Sequence, residues 1–150
     1  MDAPDSRAVF LERLADPPYR SAGPVLVLKG VPSDMQHRYA KGWRWAGPHV
    51  HVAAGHNTYE EAVDCVSRFP KDLDLQLITS KPHLPRALLT FVRVLEDRGL
   101  DRHVRVWPVG VPSDTDTIGI ETERIAAYQA KGHVASYEAG IAYVDWLETQ

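Results

Sequence analysis

The chain has 150 residues, 44% of them apolar and 25% charged, and a formal net charge of −3. That length makes one domain, residues 1–150, with a core large enough to fold without a disulfide or metal staple, and the single cysteine, Cys65, excludes an intrachain disulfide or a cysteine-pair zinc site. The balance of 17 basic and 20 acidic residues argues against a general nucleic-acid or anionic-membrane surface, and with neither a leader-like start nor a membrane-length apolar run the expectation is a cytoplasmic globular domain.

Residues 5–15 carry Val9, Phe10, Leu11 and Leu14 on a helical spacing that Pro17-Pro18 ends. Residues 24–28, Pro-Val-Leu-Val-Leu, form a short apolar run with the length and β-branching of a buried strand. The pattern over 33–46 is helical, interrupted by Gly42, and 50–54 reads as a second strand between Gly47-Pro48 and Gly55. A helix over 58–68 opens with a capping box, Thr58 and Glu61, and shows Tyr59, Ala62, Val63 and Val66 as one stripe.

Residues 75–79 make a third strand, and 84–98 the strongest helix in the chain. Its stripe is Leu84, Leu88, Phe91, Val92 and Leu95, with Pro85 suited to the first turn and Gly99 to the stop. A fourth strand over 104–109 is followed by helices over 120–131, stopped by Gly132, and over 136–148, with Tyr137, Ile141, Val144 and Leu147 on one face. Tyr137, Tyr143 and Trp146 on that last helix suit either self-association into a homodimer or ordinary packing. Strands alternating with helices at this spacing give an α/β fold with a mostly parallel sheet of four to five strands and two C-terminal helices.

In open sheets of this kind ligands sit beyond the carboxyl ends of the strands. The richest such segment is Thr79-Ser80-Lys81-Pro82-His83-Leu84-Pro85-Arg86, where a strand turns into a helix. Free backbone N–H groups, the positive helix end, two hydroxyls, a lysine, an imidazole and a guanidinium together suit a phosphate or carboxylate. The same stretch also reads as a capped helix start with solvated basic residues. The turn at His56-Asn57-Thr58 reads first as a helix cap and second as a further set of donors to the same pocket.

His49, His51 and His56 suggest a metal, but no acidic residue or further histidine stands at a matching spacing, and no metal site is expected. Trp43 and Trp45 around Arg44 suit packing better than base stacking. Dinucleotide-binding, phosphate-loop and serine-hydrolase signatures are absent.

Three stretches resemble the YdcF/SanA/ElyC-like proteins, a bacterial family of largely unknown function. They are Val27-Leu28-Lys29-Gly30, then Asn57-Thr58-Tyr59-Glu60-Glu61-Ala62, and Thr79-Ser80-Lys81-Pro82-His83-Leu84-Pro85-Arg86-Ala87, which follows the family's T-S-x-x-H-x-x-R-A pattern. The chain departs from the family at Lys29, where a glycine is usual, at Glu61, where an asparagine is usual, and in a shorter segment between the first two motifs.

The resemblance implies a Rossmann-like three-layer domain with a polar pocket at the strand tips. Residue by residue, that pocket holds Lys29, Gly30, Asn57, Thr58, Thr79, Ser80 and Arg86 as ligand-binding groups, with His83 and Glu61 as the catalytic pair. Imidazole ordinarily changes charge between about pH 5 and 8, so general acid or base work falls to His83. The implied activity is that of a small-molecule enzyme, a transferase, lyase or hydrolase. Its ligand is an anion, either S-adenosylmethionine or a nucleotide-like or phosphorylated metabolite. The alternative is a metabolite-binding module without turnover, linked to envelope biogenesis as some relatives are.

Overall fold

The computed structural model of the protein describes residues 5–18, 25–27, 50–52, 58–68, 74–112 and 118–150. In chain order these form α1 (Ser6–Ala15), β1 (Val25–Val27), β2 (Val50–Val52), α2 (Thr58–Arg68), β3 (Asp74–Ser80), α3 (Leu84–Asp97), β4 (Arg105–Val111), α4 (Ile118–Ala130) and α5 (Tyr137–Glu148). The fold is α/β with parallel pairing throughout. Parallel neighbours need a long crossover, and the alternation of strand and helix supplies it. The helix expected over 33–46 lies outside the described residues.

The β3–β4 ladder runs from Asp74↔Arg105 to Ser80↔Val111, and the three-residue strands β1 and β2 extend it in the order β2-β1-β3-β4. Together with β2, β4 is therefore one of the two edge strands among the described residues. Its chemistry fits that place. The Val106 N–H donates to the Tyr143 hydroxyl on α5 rather than to a strand, at 2.8 Å. N–H groups two residues apart point to the same side, so the missing N–H of Pro108 also faces away from β3, where a proline is tolerated. At the start of the ladder, one step before Val106, Asp74 accepts from Arg105 Nε at 2.7 Å and from Trp107 Nε1 at 2.8 Å.

α3 is the centre of the molecule. It lies against β3 and β4, and α1, α2, α4 and α5 pack around it. Its apolar residues are buried on most faces, Leu89 and Val94 as fully as the expected stripe, and the solvent side is left to a narrow polar line that includes the Arg93–Asp97 pair. Pro85 stands in its first turn, and Gly99 (φ +65°) ends it in the left-handed conformation that glycine adopts without strain. Gly132 (φ +77°) follows α4 in the same way.

Several boundaries and faces differ from the expectation. β3 runs one residue further at each end than 75–79, and β4 starts one residue after 104 and ends two after 109, since the ladder pairs Asp74 with Arg105 and Ser80 with Val111; α4 begins at Ile118. On α1 only Ser6, Phe10 and Leu14 are buried. Val9 points outward, because the helix meets its neighbours along one narrow i, i+4, i+8 line. On α5, Tyr137 and Tyr143 are buried in the core rather than offered for self-association, because the helix turns Tyr143 inward onto β4. Trp146, half-buried, packs beside Tyr143 with the Arg102 guanidinium over its ring. Among the described residues no helix is long and apolar enough to cross a membrane.

Candidate functional site

The turn from β3 into α3 spends its own backbone donors. Lys81 N–H bonds the Val111 carbonyl at 2.8 Å, His83 N–H that of Ser80 at 3.1 Å, and Leu84 N–H that of Lys81 at 3.3 Å. Proline at 82 and 85 has no N–H to offer. Three N–H groups of the expected cradle are therefore spent in bonds within the chain. What the turn delivers is side chains: His83 at the cap position and Arg86 in the first turn of α3.

Two other helix starts converge on them. Thr58 opens α2 and is 9% exposed, while Glu121 stands in the first turn of α4 and is 5% exposed. Arg86 Nε donates to Glu121 Oε2 at 2.5 Å and its Nη2 to Oε1 at 3.4 Å, a two-point guanidinium–carboxylate pair. Arg86 Nη1 reaches Thr58 Oγ1 at 3.4 Å. The His83 ring lies between the same two partners, Nδ1 at 3.5 Å from Glu121 Oε2 and Nε2 at 3.4 Å from Thr58 Oγ1. Arg124 Nη1 approaches Glu121 Oε1 at 3.5 Å from the solvent side.

Burial alone would raise the Glu121 carboxyl above its ordinary value. Hydrogen bonds from His83 and Arg86, with the Arg86 charge, outweigh it and hold the carboxyl at about 2. Glu121 is thus an anion at neutral pH and accepts from His83. In the neutral imidazole, a proton on Nδ1 would serve that bond and leave Nε2 to accept the Thr58 O–H. Carboxylate, imidazole and hydroxyl form a chain along which a proton can move, and a guanidinium polarises the hydroxyl at its end.

Of the residues expected in the site, His83, Arg86 and Thr58 meet. Ser80 is half-buried at the end of β3, and Thr79 is 1% exposed, paired with Gly110 inside the ladder. Glu61 is buried one turn beyond Thr58 on α2. Lys29, Gly30 and Asn57 lie outside the described residues, as do His49 and His56. Among the described residues no group of three or more His, Cys, Asp or Glu side chains could hold a metal.

Glu121 is the residue that sequence reasoning missed. Its signal was present: Glu121, Ile125 and Tyr128 fall at i, i+4 and i+7, an acid on the inward stripe of a helix.

A cavity of about 220 Å³ opens beside this cluster, lined by Thr58 and Arg86 and by Tyr59, Tyr128, Lys131 and His133 among others. A larger cleft of about 490 Å³ lies between α1 and the β4 tip and is lined chiefly by apolar groups, Leu11, Leu14, Leu84 and Pro108 among them. No family model, no curated protein and no solved structure matches this chain.

Proposed function

We propose that the protein is a small-molecule enzyme in which His83 moves a proton on an anionic ligand held beside the start of α3. The observation that carries this reading is the position of the His83 ring, between an ionised, buried Glu121 and the Thr58 hydroxyl. A general base needs a fixed tautomer and a partner in reach, and this arrangement provides both. Arg86 and Lys131 beside the adjoining cavity favour an anion.

In this reading the sheet belongs to a Rossmann-like three-layer domain of the YdcF/SanA/ElyC-like kind. Lys29, Gly30, Asn57 and Ser80 complete its pocket, and Glu61 is a second carboxylate near the reaction. The ligand is S-adenosylmethionine or a nucleotide-like or phosphorylated metabolite, and the reaction a transfer, elimination or hydrolysis.

A second reading, a metabolite-binding module without turnover, is favoured by one observation: Arg86, Glu121, His83 and Thr58 already satisfy one another without a ligand. Titration calorimetry with S-adenosylmethionine and with phosphorylated and carboxylated metabolites, followed by mass analysis of each incubated mixture, separates the two. The enzyme reading expects a converted product from the native protein and none from His83→Gln, with the ligand still bound. A ligand that binds and keeps its mass after long incubation leaves the binding module.

A further inference from the structure

We infer that the cavity between the starts of α2 and α3 and the end of α4 seats a flat ring bearing one anionic group, a carboxylate or a phosphate. This names the substrate class of the site proposed above and rests on that reading. Three rings shape the cavity. Tyr59 and His133 stack with centroids 4.4 Å apart and planes 18° apart, and Tyr128 lies 6.3 Å from His133 at 17°. The left-handed Gly132 makes this possible by turning the chain back, so that the His133 N–H bonds the Tyr128 carbonyl at 3.0 Å. The three rings stack on one another, and a planar guest would lie against an outer face of that stack.

The charge in the cavity is positive. Lys131 Nζ lies 5.2 Å and Arg86 Cζ 5.7 Å from the Tyr128 ring centroid. Arg86 shares its charge with Glu121, but Lys131 meets the Tyr128 ring and, among the described residues, no carboxylate. A ring face answers a full cation only in part, so one positive charge at the mouth remains for a ligand. At about 220 Å³ the space falls below the roughly 300–1,000 Å³ of sites for drug-sized molecules. It suits one ring with a charged substituent, or the anionic end of a larger ligand. The Thr58 hydroxyl, which ends the His83–Glu121 chain, lines the same cavity, so a guest there lies against the proton path.

The test uses benzoate and phenyl phosphate as probes, benzamide as the uncharged counterpart of benzoate, and calorimetric or NMR titration of the full chain. Both acids should saturate in the millimolar range, with benzamide at least about tenfold weaker. Lys131→Ala, an exposed substitution, should weaken the acids about tenfold and leave benzamide unchanged. Equal binding of benzamide and benzoate, acid binding indifferent to Lys131→Ala, or no saturation by either acid overturns the proposal. Probe binding needs no proton transfer, so the outcomes separate. Turnover of some other ligand without probe binding discards the pocket and keeps the enzyme. Probe binding with no turnover of any ligand keeps the pocket and discards the enzyme.

Discussion

Arg86 and Glu121, 35 positions apart, meet through two guanidinium nitrogens, the shorter contact at 2.5 Å. The counter-ion of the guanidinium is therefore supplied by α4 of the chain itself. Both side chains are largely shielded from water, 12% and 7% exposed, so the pair ties the starts of α3 and α4 together as well as setting the charge of the site. The third guanidinium nitrogen, Nη1, faces Thr58 Oγ1 at 3.4 Å.

Removing Arg86 alone should unbalance this arrangement. Arg86→Ala leaves the Glu121 carboxylate with His83 and the exposed Arg124, and breaking a buried pair from one side costs about 3–5 kcal/mol. We expect a loss near about 3 kcal/mol in urea unfolding, because part of the site is open to water. The double variant Arg86→Ala with Glu121→Gln should lose less than the sum of the singles, by about 1 kcal/mol or more. Simple additivity would mean that the two groups do not depend on each other. Loss of ligand affinity in Arg86→Ala is thus meaningful only beside a stability measurement.

Glu121 also predicts an acid-dependent stability. Its carboxyl sits at about 2 in the folded protein and near 4.5 when unfolded. Above the unfolded value both states are ionised and the stabilisation is complete. As pH falls from there toward about 2, the unfolded state takes up its proton first and the stabilisation is lost. The contribution at neutral pH is on the order of 2–3 kcal/mol. Melting curves of the native protein and Glu121→Gln should lie well apart at pH 7 and converge as pH approaches 2. A gap that stays constant through that range would refute the linkage.

The elements that were legible in the sequence are those whose cause is local. α3 was readable because Leu84, Leu88, Phe91, Val92 and Leu95 share a stripe and because Pro85 and Gly99 have one role each at its ends. His83, Arg86 and Thr58 were readable as candidates because a strand-to-helix turn rich in polar groups is itself a signal. Their partner was not. Nothing near Arg86 in the chain points to an acid 35 residues away, and only the packing of α4 on α3 brings Glu121 there. His133 was missed for a related reason, since the left-handed Gly132 folds it back onto Tyr128, whereas Lys131 reaches the Tyr128 ring from three residues further along the chain. For Tyr143 the sequence left self-association and ordinary packing open, because what holds it inside is a hydrogen bond to β4.

That hydroxyl offers a clean test of the sheet edge. Tyr143 is 0% exposed, accepts from Val106 N–H at 2.8 Å and donates to the Val104 carbonyl at 2.7 Å. Burial pushes its own ionisation well above the ordinary tyrosine value, so it stays a neutral donor and acceptor. Tyr143→Phe keeps the ring and strands both backbone groups. Each buried orphan costs about 1–3 kcal/mol, so a total loss of about 2–6 kcal/mol is expected by urea unfolding. A loss under about 0.5 kcal/mol would show that water reaches this edge.

The closest helix contact makes the last prediction. A Cβ built on Gly140 of α5 would lie 2.5 Å from Leu89 Cδ2 and 2.7 Å from Phe10 Cε1, distances that real contacts do not reach. Alanine is favoured over glycine inside a helix by about 1 kcal/mol, whereas forcing a methyl into a packed core costs about 1–3 kcal/mol. Here Leu89 and Phe10 are themselves fully buried and cannot retreat, so the steric loss should win. Gly140→Ala should unfold at lower urea by about 1 kcal/mol or more, and Phe10→Leu in the same chain should recover part of it. Gly119 in α4 is the matched control, since nothing lies within 4 Å of its added methyl. Gly119→Ala should stabilise by a few tenths to about 1 kcal/mol. If both alanines stabilise alike, the close approach of α5 to α1 and α3 is absent in solution.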